Sequence, residues 1–327
     1  MSETKAGESD DSRKTTILSI LQALFVTVLW SSSFIIIKFG LAEIPPLIYA
    51  GLRYSIASLI LIAMIASQSE MRDATRGRSR MWWRNLVIYG IVFITATQGT
   101  QFIGLYYLPA TTFSLILNMT PIIVLLMAIP WLGEKPTATE SSLILLGIMG
   151  VLIFFYPLDF VGISIIGLVI GLISLISNSF ASVIGRAINR PRDTPALVVT
   201  GIMMSIGSIG LMVLAILTEP LTPLSPLSWF YILWLAGINT ALAFTLWTRS
   251  MRILRAIDMT LINSTMMPQI VVLSIIFLAE PLDILDWIGL ILFAFSVAAV
   301  QVIQASKANN KKEQVSAIPQ KVELQQS

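Results

Sequence analysis

Runs of about twenty apolar residues recur along this chain, separated by short polar or charged connections. No other feature limits its folding so strictly, because crossing ~30 Å of hydrocarbon takes roughly 20 residues of α-helix. Ten stretches qualify: 17–39, 46–66, 85–106, 111–131, 141–157, 162–184, 196–217, 229–248, 258–279 and 284–304. Lipid offers no partner for backbone N–H and C=O groups, so each stretch must satisfy its own as a helix. A transmembrane β-barrel would show short alternating segments instead. The expected fold is an all-α polytopic membrane protein with ten transmembrane helices. Of the 327 residues, 56% are hydrophobic and 12% charged, against roughly 25% charged in a soluble domain. That excludes a soluble enzyme, a disordered regulator and a nucleic-acid-binding domain. The net charge is only +3, and basic residues bordering the spans account for it without nucleic acid. Cys and His are both absent, so disulfides, thiolate nucleophiles, imidazole bases and His/Cys metal sites are absent too, and no cofactor or metal is expected. The first stretch is too long for the apolar core of a cleaved signal peptide.

Basic residues set the expected orientation. With ten spans, both tails share a side with alternate connections, and that side collects 19 of the 21 Lys and Arg residues. The two exceptions, Lys38 and Arg53, flank the first connection on the other side. Cytoplasmic loops carry the Lys/Arg excess, which predicts cytoplasmic termini in a plasma membrane. The Arg72–Arg84 segment serves as a topology signal, with anionic lipid headgroups as a further partner.

Sliding the chain against itself reveals a register at an offset of 146 residues. Ser31 meets Ser177, Ser33 meets Ser179, Phe34 meets Phe180, Pro45 meets Pro191, Trp83 meets Trp229 and Glu134 meets Glu280. These are rarer residue types than the Leu and Ile that any two spans share, and span boundaries align in the same register. The expected organisation is a tail at 1–16, a first repeat at 17–157, a second at 162–304 and a tail at 305–327. Five spans per repeat is an odd number, so the repeats must be inverted, an arrangement that supports alternating access in secondary transporters.

These motifs resemble the ten-span drug/metabolite transporter superfamily, EamA type. The resemblance lies in Trp30-Ser31-Ser32-Ser33-Phe34 with Lys38, Pro45 and Arg53-Tyr54. It continues through Ser114, Asn118, Pro121 and Gly133-Glu134, and in the second repeat through Pro268, Ala279-Glu280-Pro281 and Trp287-Ile288-Gly289. It implies export of amino acids, other metabolites or toxic compounds through a central cavity between the halves. The chain departs from symmetry at Ile184 and Val199, which stand where the first repeat has Lys38 and Arg53.

Two mid-span prolines, Pro121 and Pro268, lack an N–H and bend their helices, freeing the carbonyls of Leu117 and Ser264. Asn118, Asn263, Ser264 and Gln269 lie beside them and need partners in apolar surroundings, whether helix, water or substrate. Gln98 and Gln101 share one helix face that must point inward. Trp30, Ser31, Asn178 and Trp247 complete the candidate cavity lining. Lys38 and Arg53 each have two readings: snorkelling to the interface, or a basic anchor for a carboxylate or phosphate. Glu134 and Glu280 close equivalent spans as helix-end or gate residues, and no carboxylate lies inside any span, which removes a buried proton relay. The resulting expectation is a monomeric or homodimeric exporter of a small metabolite, an amino acid or similar solute. A multidrug efflux pump and a non-transporting scaffold are the alternatives.

Overall fold

The computed structural model describes residues 2–132, 137–156, 164–189, 193–251, 253–254, 259 and 262–324. Among these the chain is helical, without strands. The principal helices are α1 (Ser2–Gly40) and α2 (Pro46–Ala66), then α3 (Arg80–Tyr107) and α4, in two pieces (Ala110–Asn118 and Thr120–Leu132). They continue with α5 (Ala138–Phe154), α6 (Ile165–Asn189) and α7 (Ala196–Thr218). The last are α8 (Pro226–Ser250), α9 (Ile262–Leu278) and α10 (Ile284–Leu324). The local starts follow ordinary capping chemistry. Pro46 and Pro226 occupy first turns, where a missing N–H costs nothing. Thr137 and Glu140 form a reciprocal capping box on α5.

The count of ten full-length spans is only partly met. Among the described residues, seven helices are long and apolar enough to cross a membrane; the stretches Ala110–Val124, Ala138–Phe154 and Ile262–Leu278 are shorter. At 1.5 Å per residue, a helix of seventeen residues such as α5 reaches about 25 Å, short of the full hydrocarbon thickness. In α4 the helix itself breaks at Met119, two residues before Pro121. Exposed Leu, Ile, Val and Phe side chains cover the outer surface of the bundle, for example Leu59, Leu145, Ile209 and Ile276. Such an apolar exterior suits lipid, and the protein is an integral membrane protein.

Helix packing follows the duplication. α1 packs on α8 and α9, as α6 packs on α3 and α4; α2 touches α8 as α7 touches α3; and α2 with α7, α4 with α9 and α5 with α10 pair across the two halves. Exchanging each helix with the one five places later leaves this scheme unchanged. Two end contacts show the inversion. Residues 41–45 lie at one end of the bundle, where Glu219 accepts from the N–H groups of Leu47 and Ile48 at 3.0 and 2.8 Å. Asp193, the repeat equivalent of Leu47, pairs with Arg78 beyond the far end of α2. Equivalent residues thus sit at opposite ends, and the halves are inverted.

Small residues set the closest crossings. A Cβ on Gly150 would lie 2.8 Å from the Gly289 carbonyl oxygen, and one on Gly289 would lie 2.5 Å from that of Gly150. Gly90 and Gly207 bring α3 and α7 together in the same way, and Thr95 Oγ1 donates to the Gly207 carbonyl at 2.8 Å. The GxxxG pair of α6 also works as a seam within the chain, since Gly167 faces Tyr107 and Leu108 and Gly171 faces Ile116.

At the 41–45 end, the Glu43 carboxylate accepts from the hydroxyls of Ser225 and Ser228 at 2.7 and 2.8 Å. These two bonds hold its carboxyl below the ordinary range. At the other end, the Arg78 guanidinium lowers that of Asp193 in the same way.

Candidate functional site

The polar residues inside the bundle converge on the junction between halves. Two stretches of wide π-helical turns prepare it, Ile91–Gln98 in α3 and Gly237–Leu242 in α8. They begin 146 residues apart, the offset of the duplication. In each, a threonine hydroxyl donates to the carbonyl five residues back, Thr97 to Val92 at 2.9 Å and Thr240 to Leu235 at 2.8 Å. Such π-turns are rare and gather at functional sites. Both present a polar group to α2. The Tyr54 hydroxyl donates to Gln98 Oε1 at 2.6 Å, and Arg53 Nε donates to Thr240 Oγ1 at 2.9 Å.

Arg53 does not snorkel. It is 4% exposed, and its guanidinium lies 5.2 Å from the Tyr54 ring centroid and 5.8 Å from that of Phe102. Among the described residues no carboxylate pairs with it, and its two terminal nitrogens donate to no group. Burying an unpaired charge costs several kcal/mol. A cation–π contact returns about 0.5–2 kcal/mol, and a hydrogen bond to a charged donor about 1.5–3 kcal/mol. The site therefore holds an incompletely compensated positive charge. Lys38 is different: its Nζ donates to the carbonyls of Leu105 and Leu108 at 2.9 Å each and so caps the C-terminal end of α3. The negative end of that helix accounts for its charge.

A second cluster ties α1 to α9. Ser31 Oγ donates to Gln269 Oε1 at 3.0 Å, while Gln269 Nε2 donates to Thr27 and Thr265 hydroxyls at 3.1 Å each. The matching tie between α6 and α4 is simpler, with Asn178 Nδ2 donating to Thr120 Oγ1 at 3.0 Å. Both threonines sit at the helix breaks and donate to the carbonyl three residues back, Thr120 to Leu117 and Thr265 to Ile262. The carbonyl freed by Pro121 thus finds its partner in Thr120. Asn118 Nδ2 turns back to the Ser114 carbonyl at 2.8 Å.

Trp30 packs against Trp247 and Phe244, with centroids 4.9 and 5.4 Å apart, so Trp247 joins an aromatic cluster between α1 and α8. Asn118, Ser264 and Pro268 line one cleft of about 200 Å³ between α4, α9 and α10. Gln101 is buried, whereas Asn263 is exposed. Glu280 lies at the 41–45 end, where its carboxylate accepts from the N–H groups of Ala110 and Thr111 and from the Thr111 hydroxyl. There it borders a cleft of about 310 Å³ with Asp286, Phe155 and Tyr156. Ala279 takes a left-handed backbone at φ 50° to end α9 and turn Glu280 onto α4. Glu134 falls outside the described residues.

The expected lining thus resolves into three groups. Ser31 and Gln269, Trp30 and Trp247, and Asn118 with Ser264 and Pro268 come together. Lys38 and Glu280 belong to helix ends. Arg53, on α2, reaches Thr240 of α8, and Gln98, on α3, accepts from Tyr54 of α2. Sequence reasoning missed Thr27, Thr120, Thr240 and Glu219. The register gives no signal for Thr240, whose equivalent in α3 is Ile94, and a lone threonine in an apolar helix otherwise bonds its own backbone.

Comparison with known proteins agrees with this architecture. A chain of 28% identity over 287 residues, covering 84% of this one and 89% of its own length, is an uncharacterized transporter, YvbV, of Bacillus subtilis (strain 168). A probable amino-acid metabolite efflux pump of Escherichia coli (strain K12) is 29% identical over 143 residues, 43% of each chain. A protein crystal structure superposes with a TM-score of 0.62 over 88% of this chain and 98% of the other, at 19% identity, and so shares the fold. The sequence profile of the EamA-like transporter family matches twice, at residues 17–156 and 165–301. With both halves of its inverted bundle matched, the chain belongs to the EamA-like transporter family.

Proposed function

We propose that the protein is a secondary transporter that exports a small polar or amphipathic metabolite, an amino acid or similar solute, by alternating access. The observation that carries this reading is the exchange of the two inverted halves together with the polar ties across their junction. Ser31–Gln269, Asn178–Thr120 and Arg53–Thr240 all join one half to the other. The neutral ties are individually weak, about 0.6 kcal/mol on average between membrane helices, so they can break and re-form as the halves rock around a midplane site. The name of the Escherichia coli relative points to amino-acid metabolites as the first solutes to try. The protein would act in the plasma membrane as a monomer or homodimer surrounded by lipid, with both termini in the cytoplasm. The spans carry no carboxylate pair for a proton relay, so exchange or facilitated export is the expected mode.

Counterflow in proteoliposomes tests this. Vesicles preloaded with unlabelled amino acids are expected to accumulate the same labelled solute transiently and saturably, at a rate unchanged by an imposed pH gradient. Flux that never saturates, or no counterflow for any member of a metabolite panel, would overturn the reading.

A further inference from the structure

We infer that Arg53 is the recognition site for an anionic group on the transported solute, so that this protein prefers carboxylate- or phosphate-bearing acids over zwitterions and rejects cations. The inference rests on the transporter reading for its context and on the surroundings of Arg53 for its chemistry.

Three observations converge. First, the charge is buried and incompletely answered: Arg53 is 4% exposed, its Nε is spent on Thr240, and its two terminal nitrogens meet no acceptor among the described residues. Those nitrogens form the fork that binds a planar carboxylate or a phosphate through two parallel bonds. Second, the group is held in place before any ligand arrives. The Thr240 hydroxyl fixes Nε from the second half, and the rings of Tyr54 and Phe102 flank the guanidinium from the first. Tyr54 is itself pinned to Gln98, so a ligand would not have to order these side chains. Third, the site is single. Val199 stands at the equivalent position of the second repeat and is 2% exposed, so the pseudo-symmetry provides no second cation. One buried positive charge spanning the junction of two moving halves is suited to one anion per cycle.

The same surroundings rank ligands. A zwitterion brings an ammonium group for which no described carboxylate stands ready at Arg53. A monoanion neutralises the site without that residue of positive charge, and a cation adds to it. The preference therefore runs from acid to amino acid to amide on a common carbon skeleton.

The experiment measures thermal stabilisation of the purified full-length chain by matched sets of carboxylic acid, amino acid and amino-acid amide, built on aromatic, branched and short dicarboxylate skeletons. Inorganic phosphate is run beside them. At least one acid or phosphate is expected to stabilise the wild type, with its amide inert. Arg53→Gln is expected to weaken that binding by about tenfold or more, while Arg53→Lys retains part of it. Unliganded Arg53→Gln is expected to melt at or above the wild-type temperature, because an uncompensated charge has been removed. A structural clamp gives the reverse: no acid or phosphate stabilises, and unliganded Arg53→Gln melts lower, which overturns the inference. Stabilisation by amides or amines in preference to acids overturns it as well. The transporter reading is separable. Arg53-dependent acid binding without counterflow leaves the anion site standing and removes transport; counterflow of neutral or cationic solutes without acid binding does the opposite.

Discussion

Gly207→Leu is expected to abolish recovery of folded, monodisperse protein. Any side chain at this position meets the Gly90 carbonyl group and the Ile94 Cβ, the latter at 2.5 Å. From the opposite helix, a Cβ on Gly90 would lie 2.5 Å from the Met203 carbonyl oxygen. Backbone cannot rotate away as a side-chain tip does, so α3 and α7 must separate along their crossing. Overpacking typically costs about 1–3 kcal/mol and more where backbone must move. Separation would also break the Thr95 bond to the Gly207 carbonyl and disturb the π-turns that begin next to Gly90. The control is Gly237→Ala, where an added Cβ meets nothing within 4 Å. Size-exclusion profiles of the two variants check the claim: the first is expected to aggregate, the second to elute as the wild type does. A monodisperse Gly207→Leu protein would show that the crossing is not as tight as described.

Glu280→Ala carries the second-largest expected effect. Its carboxylate accepts from Ala110 N–H at 2.7 Å, Thr111 N–H at 3.0 Å and Thr111 Oγ1 at 2.7 Å. The first turn of a helix leaves its N–H groups without internal partners, and a negative charge there is favoured by the helix dipole. Truncation strands these donors in a half-buried position, at a cost of about 1–3 kcal/mol. Glu280→Gln keeps one acceptor oxygen and is expected to lose roughly half as much. Melting temperatures of the three proteins give the test, with the order wild type, Glu280→Gln, Glu280→Ala. Equal melting temperatures would mean that solvent already satisfies α4.

Much of the architecture was legible because the bilayer allows few solutions. Apolar runs could only be helices, and the 146-residue register aligns Glu134 with Glu280 and Ser31 with Ser177. What stayed hidden was geometry finer than hydropathy. Pro121 marked a bend in α4, but not that the helix stops at Met119, and nothing in a hydropathy pattern marks an i→i+5 turn such as Ile91–Gln98. Arg53 illustrates the difficulty at the site. Its distance from the span end equally suits an arginine that reaches the interface and one that turns inward. The direction is decided by Thr240, a residue 187 positions away that a single helix cannot reveal. Glu280 was placed at a helix end by sequence, but the helix it serves is α4, not its own.

The central claim is that the two halves cross the membrane in opposite senses and meet at a shared site. The chain has no cysteine, so single cysteines can be introduced without first removing others. Ala42→Cys, Tyr156→Cys and Thr222→Cys lie at the end that carries the Glu43, Glu219 and Glu280 contacts, while Asp73→Cys and Ala187→Cys lie at the other. In intact cells a membrane-impermeant maleimide is predicted to label the first three, and the last two only after permeabilisation. Labelling of Asp73→Cys or Ala187→Cys from outside, or protection of any of the first three, would contradict it.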